Sequence, residues 1–261
     1  MGLSGLRRFL YYPERLPENL PLPRHAAGAE EAWITTTDGE TIHGLFWSPP
    51  PGRPTLLYFH GNAGHAYGWA LVREDLGALD AGLLLIDYRG YGKSSGRPSE
   101  RGLALDAEAS LAWLEARGIG VGSIVPFGKS LGGGVAVELA RGRAFLGLVL
   151  ESTFTSIGAV SRHLFPVFPV GELFPDRFES AAKLGDVKSP VLVIHGRDDG
   201  LIPASEGQAL FDAVQGVREL WIVAGADHND VSWVAGAAYG TRLRSWLDGL
   251  RPPVSDSRHA V

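Results

Sequence analysis

From Ile124 to Val137 the chain reads Ile-Val-Pro-Phe-Gly-Lys-Ser-Leu-Gly-Gly-Gly-Val-Ala-Val. A short apolar run enters, a small-residue segment of helical character leaves, and Gly128-Lys129-Ser130-Leu131-Gly132 joins them. That is strand, sharp turn and helix with a serine at the apex, the arrangement of a nucleophile elbow. It constrains the fold severely. Holding the serine hydroxyl clear of both strand and helix requires a sparsely populated backbone conformation that the surrounding structure must sustain. Residues two before and two after the serine come into close contact, so both must be tiny, as Gly128 and Gly132 are. Gly133 and Gly134 are expected to let the helix sit tightly on a sheet.

Glycine is common in this chain, 35 of 261 residues, so the five-residue pattern could arise as a plain Gly-rich turn. The strand before it and the helix after it give it weight. Gly-Lys-Ser also ends a phosphate-binding loop, but that motif needs glycine where Ser123 stands, and Gly122 is one place off. The phosphate-loop reading fails.

A chain of 261 residues and 27.9 kDa fits one large α/β domain with a substantial core. Its net charge of −5 argues against non-specific nucleic-acid binding, which wants a basic surface. With no cysteine there is no disulfide, thiol nucleophile or thiolate metal site. Met1 to Tyr12 is too short in apolar residues for a signal peptide or a membrane span, so a cytoplasmic location is expected. Residues 1–32, with Pro13, Pro17, Pro21 and Pro23, read as an extended arm packed on the body.

Residues 33–250 read as the catalytic domain. Trp33 to Trp47 forms two strands around Asp38-Gly39, a strong hairpin signal. Thr55–Phe59 is a buried strand, Gly68 to Leu79 a helix, and Leu83–Ile86 a strand running into a polar loop. Ser99 caps a helix through Arg117, closed by Gly118. After the elbow, Leu146–Leu150 and Pro190–Ile194 are strands, Ala204 to Val214 a helix, Glu219–Val223 a strand and Val231 to Leu250 a helix. Continuous apolar strands alternating with helices mean a mostly parallel sheet covered on both faces, with the N-terminal hairpin antiparallel. Residues 251–261 are a polar tail.

A serine hydroxyl is a poor nucleophile near neutral pH, so Ser130 needs a base, and the base needs a group to hold its tautomer. In a parallel sheet such groups gather at the carboxyl ends of strands. His228, in the turn Ala224-Gly225-Ala226-Asp227-His228 after the last strand, is the base expected. His60 and His195 precede glycine at strand ends and are expected to hold loop backbone, and His65 to begin a helix. Asp199 is preferred as the acid because Ile202-Pro203 places it on the turn before the next helix; Asp198 and Glu151 are the alternatives. The resulting order, serine, acid, histidine, is that of the α/β-hydrolase fold. Backbone N–H groups of Leu131 and of Asn62, with Ala63 the alternate, would stabilise an oxyanion.

With these pieces assembled, the chain resembles the α/β-hydrolase superfamily, and more narrowly the BEM46-like, ABHD13/ABHD17-type serine hydrolases. The stretches that carry the resemblance are Tyr58 to Gly64, Asp87 to Gly96, Gly128 to Gly133, Glu151 to Ser156, and the turns of Asp199 and His228. It implies hydrolysis of carboxylic esters or acyl thioesters and a structural role for the Ser94 and Ser95 loop; no cofactor is expected, and with no His-Glu-x-x-His or comparable ligand cluster in the sequence a metal hydrolase is disfavoured. Two departures stand out. Members often carry an N-terminal membrane anchor, and the residue before the histidine is commonly glycine, where this chain has Asp227. A carboxylate there would favour a charged imidazole and shift the pH optimum.

Residues 151–189 hold a lid-like insertion in which Leu164, Phe165, Phe168 and Leu173 would wall an apolar acyl pocket. Ordinary cover packing on the sheet is the simpler reading, and a membrane-contacting patch is a third, weakened by the lack of flanking basic residues. The enzymatic rival is a peptidase or amidase of the same fold. A binding protein with a degenerate site would be expected to lack a triad member, and none is lacking.

Overall fold

The computed structural model describes residues 7–8, 10–167 and 170–250. Ten strands run in chain order: β1 Tyr12–Pro13, β2 Glu30–Thr35, β3 Thr41–Trp47, β4 Thr55–Phe59, β5 Ala63–Gly64, β6 Gly82–Ile86, β7 Ile124–Lys129, β8 Leu148–Glu151, β9 Val191–Gly196 and β10 Arg218–Val223. The helices are α1 Ala66–Trp69, α2 Val72–Asp75, α3 Glu100–Glu115, α4 Leu131–Ala140, α5 Ile157–Leu164, α6 Ser180–Leu184, α7 Ala204–Ala213, α8 Val231–Ala235 and α9 Ala237–Gly249.

Eight strands form one sheet in the order β10-β9-β8-β7-β4-β6-β3-β2. Six pair in parallel from β10 through β6, while β3 runs antiparallel to both β6 and β2. The unbroken apolar runs explain this arrangement. Every residue of β4, β6, β7 and β9 is buried, which only a sheet covered on both faces allows. One face packs Leu103, Leu111, Val135, Leu184 and Leu210 from α3, α4, α6 and α7. The other packs Tyr67, Val231, Tyr239, Leu243 and Leu247 from α1, α8 and α9.

The hairpin lies where Asp38-Gly39 puts it, with Gly39 at φ 90°. Ser99 caps α3 by accepting from the Gly102 N–H. Two expected helices are broken. The segment from Gly68 to Leu79 is three short pieces, α1, α2 and a turn of 3-10 helix at Gly77–Leu79, with Gly68 and Gly77 supplying poor helix formers. The C-terminal helix divides at Gly236, whose φ of 54° with ψ −136° no helix accommodates.

At the elbow, Ser130 has φ 52° and ψ −117°. A Cβ on Gly128 would stand 2.4 Å from the Gly132 carbonyl oxygen, so those two residues do meet. The tightest constraint on Gly132, however, comes from another strand: its Cβ would lie 2.0 Å from the Phe59 carbonyl oxygen. Gly134 faces the Phe178 ring of the insertion rather than the sheet. Among the described residues no helix is long and apolar enough to cross a membrane.

Alanine is the better helix former by about 1 kcal/mol, yet backbone atoms cannot yield 2.0 Å without moving β4 or α4. Gly132→Ala is therefore expected to destabilise by about 3 kcal/mol, read as a lowered urea midpoint.

Candidate active site

Ser130 follows β7 directly, and its strained backbone is held on both sides. Its N–H donates to the Glu151 carbonyl at 2.9 Å, and its own carbonyl accepts from Thr153 Oγ1 at 2.6 Å. Both partners lie at the end of the neighbouring strand β8, so the elbow is clamped by the sheet that it interrupts.

The structure brings the three expected side chains together. Ser130 Oγ lies 3.1 Å from His228 Nε2, and His228 Nδ1 lies 2.8 Å from Asp199 Oδ2. With Nδ1 donating to the carboxylate, Nε2 is left to accept the serine proton. Asp199 stands after β9 and His228 after β10, adjacent parallel strands, which is why residues far apart in sequence meet at one sheet edge. The Asp199 side chain is fully buried, and its other oxygen accepts from the N–H groups of Leu201 and Ile202 at 3.0 and 2.7 Å. Burial alone would push the Asp199 carboxyl up; hydrogen bonds from His195, His228 and the Ile202 backbone outweigh it and hold the group below the ordinary carboxylate range.

The other candidates occupy different places. Asp198 is exposed and its N–H donates to the Ala226 carbonyl. His195 Nε2 donates to the Ile202 carbonyl at 2.8 Å, the backbone-holding role expected of it, and also lies 3.3 Å from Asp199 Oδ2. His60 Nδ1 donates to the Gly61 carbonyl, and His65 caps α1 by accepting from the Gly68 N–H. Asp227 Oδ1 accepts from the N–H groups of Gly200 and His228 at 2.9 and 2.7 Å, which sew the acid turn to the histidine turn. Those two donors hold the Asp227 carboxyl down.

Beside the serine runs the loop His60–Gly64. A Cβ on Gly61 would stand 3.7 Å from Ser130 Cβ and 3.3 Å from the Trp69 ring, so the loop is pressed between Ser130 and that indole. Leu131 opens α4, where its N–H is one of the first-turn donors with no partner inside the helix. Ala63 belongs to the β5 ladder with Tyr12, whereas Asn62 precedes that ladder. Of the side chains expected to wall a pocket, Leu164, Phe165 and Leu173 are exposed at 41%, 54% and 59%, and Phe168 lies outside the described residues. None of these three lines the slot of about 160 Å³ that opens between Lys129 and Asn229, the chain neighbours of Ser130 and His228.

Glu151 is bonded across strands, not within its own loop. Lys129 Nζ donates to Glu151 Oε1 at 2.5 Å, and the Tyr239 hydroxyl donates to Oε2. Lysine and glutamate are only 6% and 1% exposed. This buried pair under the elbow was the main feature that sequence reasoning missed. The pairing follows from the register, which sets Lys129 directly opposite Glu151 on β7 and β8 and which the sequence does not give. Among the described residues no group of three or more His, Asp or Glu could hold a metal ion.

An open, mostly parallel sheet with a serine elbow at its centre and an acid and a histidine after two further parallel strands, β9 and β10, defines the α/β-hydrolase class. The comparisons agree. A family profile described as alpha/beta hydrolase fold matches residues 54–177. Protein bem46 of Schizosaccharomyces pombe is 35% identical over 228 residues, covering 80% of this chain and 75% of its own. Human alpha/beta hydrolase domain-containing protein 17B is 38% identical over 235 residues, covering 87% and 78%. In fold, the chain is similar to an esterase of Pyrococcus furiosus, with a TM-score of 0.73 at 24% identity, covering 92% of this chain and 97% of that one. The chain belongs to the α/β-hydrolase superfamily, in the branch that includes Bem46.

Lys129→Met strands a buried carboxylate and is expected to cost about 3–5 kcal/mol in urea denaturation, whereas Lys129→Met with Glu151→Leu should recover most of it. For Asp199 the folded value lies below the unfolded one, so its contribution to stability is complete above about pH 4 and is lost as pH falls further. The gap in urea midpoint between wild type and Asp199→Asn should stay constant down to about pH 5 and narrow below about pH 4.

Proposed function

We propose that the protein is a serine hydrolase that cleaves carboxylic esters or acyl thioesters through an acyl-enzyme. The observation that carries this reading is the hydrogen-bonded chain from Ser130 Oγ through His228 to Asp199, at 3.1 and 2.8 Å. Ser130 Oγ attacks the acyl carbonyl while His228 Nε2 takes its proton. The proton passes to the leaving group as the carbon–oxygen or carbon–sulfur bond breaks, leaving the acyl group on Ser130. Water then attacks that ester with His228 again as base, releasing the acid and restoring the hydroxyl. Asp199 keeps the imidazole in the productive tautomer and stabilises its charged form without taking the proton.

The carbonyl oxygen becomes anionic in both steps. The N–H groups of Leu131 and Asn62 are the donors for it, and the start of α4 adds the favourable end of a helix dipole. The exposed apolar side chains of Leu164, Phe165 and Leu173 supply surface for an acyl chain. A cytoplasmic location and a small or medium acyl substrate go with this reading.

Nitrophenyl esters of increasing chain length test it. Ser130→Ala should abolish turnover and labelling by a fluorophosphonate, and Asn at position 199 should lower kcat about 10⁴-fold with the fold intact. Wild type that labels no better than Ser130→Ala would refute the mechanism. Equal rates for short and long chains would remove the acyl-wall assignment.

A further inference from the structure

Asn62 is held from three directions, and two of them come from the N-terminal arm. Its side-chain Nδ2 donates to the Leu10 carbonyl at 2.6 Å, and its Oδ1 accepts from the Tyr12 N–H at 3.3 Å. The third is Tyr91, whose hydroxyl lies 2.9 Å from both the Oδ1 and the main-chain carbonyl of Asn62. Immediately beyond, Tyr12 and Pro13 pair in parallel with Ala63 and Gly64. The arm therefore lies as an added strand against the loop that touches Ser130.

The arm is itself anchored on either side of this contact. Upstream, Arg7 makes two bonds to Asp176, at 2.7 and 3.0 Å, and the Tyr11 hydroxyl donates to the same carboxylate at 3.0 Å. Asp176 is buried at the end of the insertion that carries Leu164 and Leu173. Downstream, Leu16 N–H donates to the Gly92 carbonyl, Gly92 N–H to the Glu14 carbonyl, and Arg15 to the carbonyls of Ser94 and Gly96. That second anchor is the loop which also presents Tyr91. Asn62 thus sits where the arm and the Tyr91 loop, themselves tied to each other, meet, and its main chain has little freedom to turn.

We infer that the arm segment Leu10–Pro13 is a positioning element for the oxyanion donor, acting through the Asn62 side chain to aim the Asn62 N–H at the reacting carbonyl. The inference rests on the serine-hydrolase reading above. Its physical basis is that a donor stabilises an oxyanion only when it is already aimed at the place where the charge develops. The Asn62 peptide lies between the end of β4 and the short β1–β5 ladder, in neither a helix nor a strand that would aim it. Here the Asn62 amide and the Tyr91 hydroxyl do so, with the arm supplying one acceptor and one donor from its backbone. Displacement of such a group by about 1 Å can cost about 100-fold in rate.

The test uses the full chain with two substitutions and their combination. Asn62→Ala keeps the backbone N–H but removes the side chain that the arm grips. Tyr12→Pro removes the arm's donor, and a Pro-Pro pair suits an extended segment. Each is expected to lower kcat about 10- to 100-fold while KM changes less than about threefold. The inhibition constant of a trifluoromethyl ketone, which forms a tetrahedral adduct on serine, should rise in step with the loss in kcat/KM. Because both changes sever one linkage, the double variant should be little worse than the poorer single variant.

Unchanged kcat in Asn62→Ala, or losses that multiply in the double variant, would overturn the inference. Should Tyr12→Pro fail to fold, Asn62→Ala alone decides by the same kcat, KM and inhibitor readings. Absence of any Ser130-dependent turnover in wild type is a distinct result, which removes the underlying reading and this inference with it.

Discussion

A serine at φ 52° and ψ −117° occupies backbone space that costs about 1–3 kcal/mol, and the architecture around it is arranged to hold it there. The glycine at 128 lets strand β7 run up against the first turn of α4, and the glycine at 132 lets that turn lie on the carbonyl of Phe59 in β4. The end of β8 supplies a carbonyl for the serine N–H and a hydroxyl for its carbonyl. Three adjacent strands of the central sheet thus fix one residue. Strain of this size persists only when many contacts agree, and these contacts are made by backbone atoms that have nowhere else to go.

Parallel pairing then does the rest of the assembly. All connections between β7, β8, β9 and β10 return the chain to the same end of the sheet, so the turns after β9 and β10 open beside the elbow. The acid of that trio is dry, yet its two oxygens face His228, His195 and two backbone N–H groups. Hydrogen bonds to the charged form outweigh desolvation, which favours the ionised Asp199 carboxylate that His228 Nδ1 faces. Asp227 adds a second tie between the same two turns.

Polar groups away from this centre serve it indirectly. Lys129 and Glu151 face each other across β7 and β8, and their pairing keeps a charged residue of the elbow satisfied where both side chains are buried. The arm lies on the loop next to Ser130 and is secured to both the insertion and the Asp87–Gly96 loop. In that loop Ser94 donates to the Asp87 carbonyl and accepts from the His43 N–H, so its hydroxyl is committed to structure.

Local patterning was enough to determine the buried strands, the Asp38-Gly39 hairpin, the Ser99 cap and the elbow, because each depends on neighbours within a few residues. The order of Ser130, Asp199 and His228 at three strand ends was legible for the same reason, since strand ends can be read and parallel topology makes them coincide. Helix continuity was not: Gly236 breaks one helix through its own backbone conformation, and the segment from Gly68 to Leu79 falls into three short pieces. Only the tertiary structure decided that Glu151 answers Lys129, that Gly132 is required by Phe59, and that an arm some fifty residues away grips Asn62. Those relations depend on which strands lie side by side and on where an irregular segment comes to rest, and no periodicity within either partner encodes them.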